Sequence, residues 1–150
     1  MDSTFLPTIL LVEDDPNDRM IVELAFERAA PGIRLRMAAD GEEALAYLQG
    51  AGAYADRGAY PLPEVILLDL KLPRKSGLEV LEWIREQPDL RPIPVLVLSS
   101  SQERGDIDLA YALGANSYLV KQVDISAVRE LVKGIATYSA LVPRQASTTG

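Results

Sequence analysis

The chain is expected to fold as an α/β protein: a mostly parallel sheet with helices on both faces. Three observations lead there. Unbroken apolar runs of strand length occur at residues 9–12, 65–68 and 95–98, as in strands buried on both faces of a parallel sheet. Helical patterns with recognisable start signals lie between the runs. The strand-then-helix alternation occurs five times along the chain, and such alternation places right-handed crossover helices over a sheet.

Each element has its own signal. Asp15 followed by Pro16 predicts an N-cap and a first-turn proline directly after the first strand. Ile33, Leu35 and Met37 alternate with Arg34, Arg36 and Ala38, which predicts a strand with one wetter face at or near a sheet edge. Asp40 with Glu43, and Ser76 with Glu79, have capping-box spacing. Gly114 is expected to cap the helix before a weaker fifth run at Ser117–Val120, and Asp124 to cap the last helix. Residues 50–63 hold three glycines, two prolines and two tyrosines, and residues 87–94 hold three prolines. Both read as surface loops. The expected organisation is one domain over residues 1–142 with a flexible tail at 143–150.

Composition excludes several function classes. The chain has 150 residues, 48% of them hydrophobic, enough for one proper core. It has no cysteine, so disulfides and thiolate metal sites are ruled out. It has no histidine either, which removes histidine-based triads and most zinc sites; any phosphorylated histidine must come from a partner. The net charge of −7 argues against nucleic-acid binding through a basic surface. No stretch approaches the ~20 apolar residues of a membrane span, and residues 1–8 lack the features of a signal peptide. A cytoplasmic protein is expected.

The chemistry collects where the strands end. Val12 is followed by Glu13, Asp14 and Asp15, Leu68 by Asp69, Leu98 by Ser99, and Val120 by Lys121. Ligands of open α/β sheets bind outside the carboxyl ends of the strands, so these acids, a hydroxyl and an amine can share one rim. Glu13, Asp14 and Asp69 suit a hard divalent cation, and their charges would repel one another without it. The plainer reading of the acidic run is a solvated loop, which for Asp15 is the preferred one. Asp69 is the candidate nucleophile, since a carboxylate can attack phosphorus to give an aspartyl phosphate. Lys121 would offer a flexible point charge to the transferring group, and Ser99 a hydroxyl. Neither glycine-rich nucleotide-loop motif is present.

Together these residues resemble the response-regulator receiver domain of two-component systems, over residues 8–140. The matching pieces are Val12-Glu13-Asp14, the segment from Leu68 and Asp69 through Lys71 and Pro73 to Gly77, Leu98-Ser99, and Gly114-Ala115 leading to Tyr118 and Lys121. The long loop before the third strand and the lack of room for an output domain after the last helix resemble the small regulators paired with phytochrome histidine kinases. The resemblance implies a flavodoxin-like (βα)5 sandwich of strand order 2-1-3-4-5. It implies phosphorylation of Asp69 by a partner sensor histidine kinase, with Mg2+ on Glu13, Asp14, Asp69 and the backbone carbonyl of Lys71. It also implies a switch in which Ser99 moves towards the phosphoryl group and Tyr118 turns inward. Gln122 departs from the family, in which a proline usually follows the lysine; a trans peptide bond is expected here.

The last helix has apolar surface to spare. Ile125, Val128, Val132 and Ile135 form a core stripe. Ala127, Leu131, Gly134 and Tyr138 form a second, continued by Leu141 and Val142. A surface helix needs an apolar face of only about 100°. A homodimer through Leu131, Tyr138, Leu141 and Val142 is therefore expected, against the alternative of a helix covered by its own tail. The expected function is a phosphorylation-dependent signalling module, not an enzyme beyond its own phosphorylation and dephosphorylation. The alternatives are a scaffold that only binds partners and a small aspartyl-phosphate phosphatase. The latter usually carries a second acid where Lys71 stands.

Overall fold

The computed structural model describes residues 7–121 and 125–141. The elements alternate as β1 (Thr8–Val12), α1 (Pro16–Ala29), β2 (Arg34–Ala38), α2 (Gly41–Gln49), β3 (Val65–Leu68), α3 (Gly77–Glu86), β4 (Val95–Ser99), α4 (Arg104–Ala112), β5 (Ser117–Val120) and α5 (Ile125–Leu141). A short 3-10 turn spans Gly52–Ala55. The five strands form one parallel sheet of order β2-β1-β3-β4-β5, the flavodoxin-like arrangement.

Burial follows the apolar pattern. Every residue of β1 and β3 is buried, while β2 and β5, at the two edges, are mostly half-buried. Side chains alternate across the sheet and divide the core in two. Leu10, Val12, Ile66 and Leu68 face Leu48, Val80, Leu81 and Ile84 from α2 and α3. Ile9, Leu11 and Leu67 face Val22 and Phe26 of α1 and Val128, Val132 and Ile135 of α5. The core stripe expected on the last helix is therefore confirmed at Val128, Val132 and Ile135. The side chain of Ile125 lies outside the described residues.

The helix starts are built as the sequence indicates, with two refinements. Asp15 accepts from the amides of Asn17 and Asp18 ahead of Pro16. Ser76 and Glu79 form a reciprocal capping box. Asp40 accepts from Glu43 N, but the Glu43 carboxylate reaches back to Ala39 N at 2.7 Å, one residue before the cap. At the end of α4 the cap is Leu113, and Gly114 follows with φ 110°, the left-handed step that glycine takes without a Cβ penalty. Asp124 lies outside the described residues.

The loop over residues 50–63 is held more tightly than a plain surface loop. Arg57 donates to the carbonyls of Tyr47, Leu48 and Tyr60, satisfying the open end of α2. Tyr47, Tyr54 and Tyr60 stack edge to face or tilted, with centroids 5.0–6.0 Å apart. Tyr54 Oη donates to Glu43 Oε2 at 2.6 Å. The aromatic rings supply the buried area that a glycine-rich composition conceals. Among the described residues, no helix is long and apolar enough to cross a membrane.

Candidate functional site

The strand ladders deliver the polar residues to one rim. Glu13 N donates to Ala38 O and Asp69 N to Val12 O, both at 3.0 Å, and Lys121 N donates to Ser99 O at 2.6 Å. Each functional residue is thus the first one past its strand, fixed by a last ladder hydrogen bond to the neighbouring strand. Arg19 Nη1 donates to the carbonyl of Glu13 at 3.1 Å and steadies the turn into α1.

Carboxylate oxygens of Glu13, Asp14 and Asp69 come within 4.8 Å of one another. Glu13 and Asp69 are buried, whereas Asp14 is exposed. Burial, and then the charge of Asp69, push the Glu13 carboxyl up to about 7, against the hydrogen bond from Lys121. The shift reflects first the loss of water around a buried carboxylate and only then the neighbouring negative charge. An all-oxygen donor set open to solvent on the Asp14 side fits a hard divalent cation that keeps some of its waters.

Lys121 balances part of that charge. Its Nζ lies 2.7 Å from Glu13 Oε1, 2.8 Å from Asp18 Oδ2 and 3.2 Å from Asp69 Oδ2. Burial alone would lower its pKa, but the hydrogen bonds to Asp18 and Glu13 and the charge of Asp69 raise it instead. It stays a full cation.

The sequence-predicted residues Glu13, Asp14, Asp69 and Lys121 are therefore brought together. Lys71 meets Asp69 through its amide, which donates to Oδ1 at 3.2 Å. Ser99 is fully buried and its Oγ accepts from Ser101 N at 3.2 Å. Tyr118 packs against the core beneath α2 and α3, and its hydroxyl donates to Ser101 O at 2.9 Å. Gln122 lies outside the described residues. Asp18 escapes the strand-end argument because it sits on α1, in its first turn, and not at the end of a strand. Its signal is its place four residues after Asp14, in the first turn of a helix whose N-terminus points at the rim.

Two glycines allow the loop after β3 to close on this site. A Cβ at Gly77 would collide with the carbonyl oxygen of Asp69 and lie 2.6 Å from Leu70 Cα, and one at Gly41 would strike the carbonyl of Lys75. Away from the site, Leu131 and Tyr138 line a groove of about 500 Å³ with Pro94 and Leu96, and Tyr138 is 43% exposed. The side chain of Leu141, and all of Val142, lie outside the described residues.

A parallel five-stranded sheet carrying an acidic cluster, a buried aspartate and a lysine at its carboxyl rim defines a class, and comparison with known proteins names it. The chain belongs to the response regulator receiver domain family, whose model matches residues 9–133. It is similar to the response regulator Rcp1 of Synechocystis, 39% identical over 130 residues that cover 87% of this chain and 86% of that protein. Among solved structures it is similar to the phosphorylated cyanobacterial phytochrome response regulator RcpA. That match has a TM-score of 0.83 and 37% identity over 95% of this chain and all of the other. It is similar also to the Mn2+-bound form of Rcp1, with a TM-score of 0.79 and 36% identity over 94% and 99% of the two chains. The chain is thus a receiver domain related to the phytochrome response regulators.

Proposed function

We propose that this receiver domain takes a phosphoryl group onto Asp69 from a phosphohistidine of a sensor histidine kinase of the phytochrome type, and signals through its α4, β5 and α5 surface. The observation that carries this reading is the juxtaposition of the buried Asp69 with Lys121 and with the Glu13 and Asp14 carboxylates. The likeness to Rcp1 and to phosphorylated RcpA supports the choice of kinase.

In the transfer, an Asp69 carboxylate oxygen forms a bond to phosphorus while the P–N bond to the partner's imidazole breaks. The electron pair stays on that nitrogen, which takes a proton from solvent. Lys121 stands where it can meet one phosphoryl oxygen, and the Ser99 hydroxyl, one strand over, can turn from Ser101 N to meet another. Mg2+ would be held by Glu13, Asp14, Asp69 and the carbonyl of Lys71, and when bound supplies neutralisation of the charge on the phosphoryl oxygens. With Ser99 drawn towards the site, the ring of Tyr118 is held inward against Ser101 and carries the change to the last two helices. A second copy of the chain, docked along the groove beside Leu131 and Tyr138, would present this surface as a dimer.

The kinase assignment is tested by label transfer. A phytochrome-type histidine kinase, autophosphorylated with radiolabelled ATP and freed of nucleotide, is mixed with the chain and Mg2+. Label should leave the kinase and appear on the chain within seconds to minutes, and Asp69→Asn should stay unlabelled. A chain that takes label from unrelated kinases as quickly, and not from this one, would overturn the pairing.

A further inference from the structure

Lys121 has three N–H donors, and in this structure three different acids use them: Glu13 at 2.7 Å, Asp18 at 2.8 Å and Asp69 at 3.2 Å. The three acids are not equivalent. Glu13 and Asp69 belong, with Asp14, to the oxygen cluster that suits a cation, and Asp18 does not. Asp69 is also the phosphoacceptor in the proposed function, on which this inference rests. Two of the three partners of Lys121 are therefore claimed when the site is loaded and phosphorylated. Only Asp18 remains free to hold the ammonium throughout.

Asp18 is well placed to do so. It lies in the first turn of α1, and its own amide donates to the N-cap Asp15 at 3.4 Å. The helix it rides on packs against α5. Glu13, Asp18 and Lys121 line one small cavity, of about 20 Å³, with Ile21, Val22, Leu98 and Val128. The lysine stem therefore runs through an apolar slot, and its charged end is drawn towards α1. A charge-assisted bond of 2.8 Å in a half-buried setting is the strong kind.

The geometry points to Asp18 as a positioning residue for phosphoryl transfer, one that keeps Lys121 aimed at the site while Glu13 and Asp69 are engaged elsewhere. Asp18 touches neither the phosphoryl group nor the cation cluster. Its effect passes through Lys121.

The experiment compares the intact chain with Asp18→Ala, Asp18→Glu, Lys121→Ala and the double variant Asp18→Ala/Lys121→Ala. The rate of phosphoryl uptake from acetyl phosphate at saturating Mg2+ is followed by intact-protein mass, alongside the Mg2+ dissociation constant and the melting temperature. Asp18→Ala should slow the maximal uptake about tenfold or more, the scale on which losing a partner that orients a site residue acts, and Asp18→Glu should recover part of the loss. The double variant should be no slower than Lys121→Ala alone, because both changes remove the same function. A parallel 1H–15N spectrum should show a slowly exchanging Lys121 ammonium in the intact chain and in Asp18→Glu, and lose it in Asp18→Ala. Uptake by Asp18→Ala at the rate of the intact chain overturns the inference and leaves the receiver reading standing. So does a double variant slowed by the full product of the single effects. No uptake by the intact chain, under conditions where another receiver responds, overturns both.

Discussion

The hydroxyl of Tyr118 donates to the backbone carbonyl of Ser101 at 2.9 Å, joining β5 to the loop that follows Ser99. The amide of the same residue donates to Tyr111 Oη at 3.0 Å, which ties β5 to α4 as well. Tyr118 is therefore tied through both its hydroxyl and its backbone amide, and the segment between Ser99 and α4 is coupled to the edge of the sheet.

Removing one of these ties should have a measurable cost. Tyr118→Phe keeps the ring and loses the bond to Ser101, so unfolding should become easier by about 1 kcal/mol. Urea denaturation measures this as a lower midpoint with an unchanged slope. No change in midpoint would mean that the bond does not hold the ring in.

Cation binding should depend on pH through Glu13. Its carboxyl titrates at about 7 in the metal-free protein, and a bound cation requires the carboxylate. Below pH 7 a proton must leave as the cation enters, so Mg2+ affinity should fall about tenfold for each pH unit there and level off above. Titration calorimetry at pH 6 and pH 8 measures the difference. Asp69→Asn removes the charge that helps hold Glu13 up, so the level region should begin at a lower pH.

Gly77→Ala should harm both fold and site. The added methyl meets the Asp69 carbonyl and the Leu70 backbone, which cannot swing away as a flexible side chain could. A loss of roughly 1–3 kcal/mol is expected, the range for overpacking a well-filled region, together with slower phosphoryl uptake at saturating Mg2+. A variant of unchanged stability and uptake would show that the loop after β3 adapts freely.

The sheet was legible from sequence because its central strands are pure apolar runs, and only a strand covered on both faces tolerates that. The helix starts were legible because Asp15, Asp40 and Ser76 cap by local chemistry that needs no tertiary context. Glu13, Asp69 and Lys121 could be read because each directly follows a strand, and Asp14 because it comes next after Glu13. Asp18 could not: its role depends on which side of α1 faces the rim, and that is decided by packing against α5. The order of the loop at residues 50–63 was hidden for the same reason, since the bonds of Arg57 to the end of α2 carry no local pattern.

The apolar groove beside α5 should make self-association visible. Light scattering at high micromolar concentration should give the mass of two chains, and Tyr138→Glu, which sets a charge into the groove, should give one. Monomers of the intact chain, with and without phosphorylation, would sink the dimer.

The central claim is that Asp69 accepts one phosphoryl group in a cation-dependent reaction, and intact-protein mass after incubation with acetyl phosphate tests it most directly. A single added phosphoryl group is predicted for the chain with Mg2+, and none without Mg2+ or in Asp69→Asn. Uptake that persists in Asp69→Asn, or that proceeds equally without a divalent cation, would contradict the account.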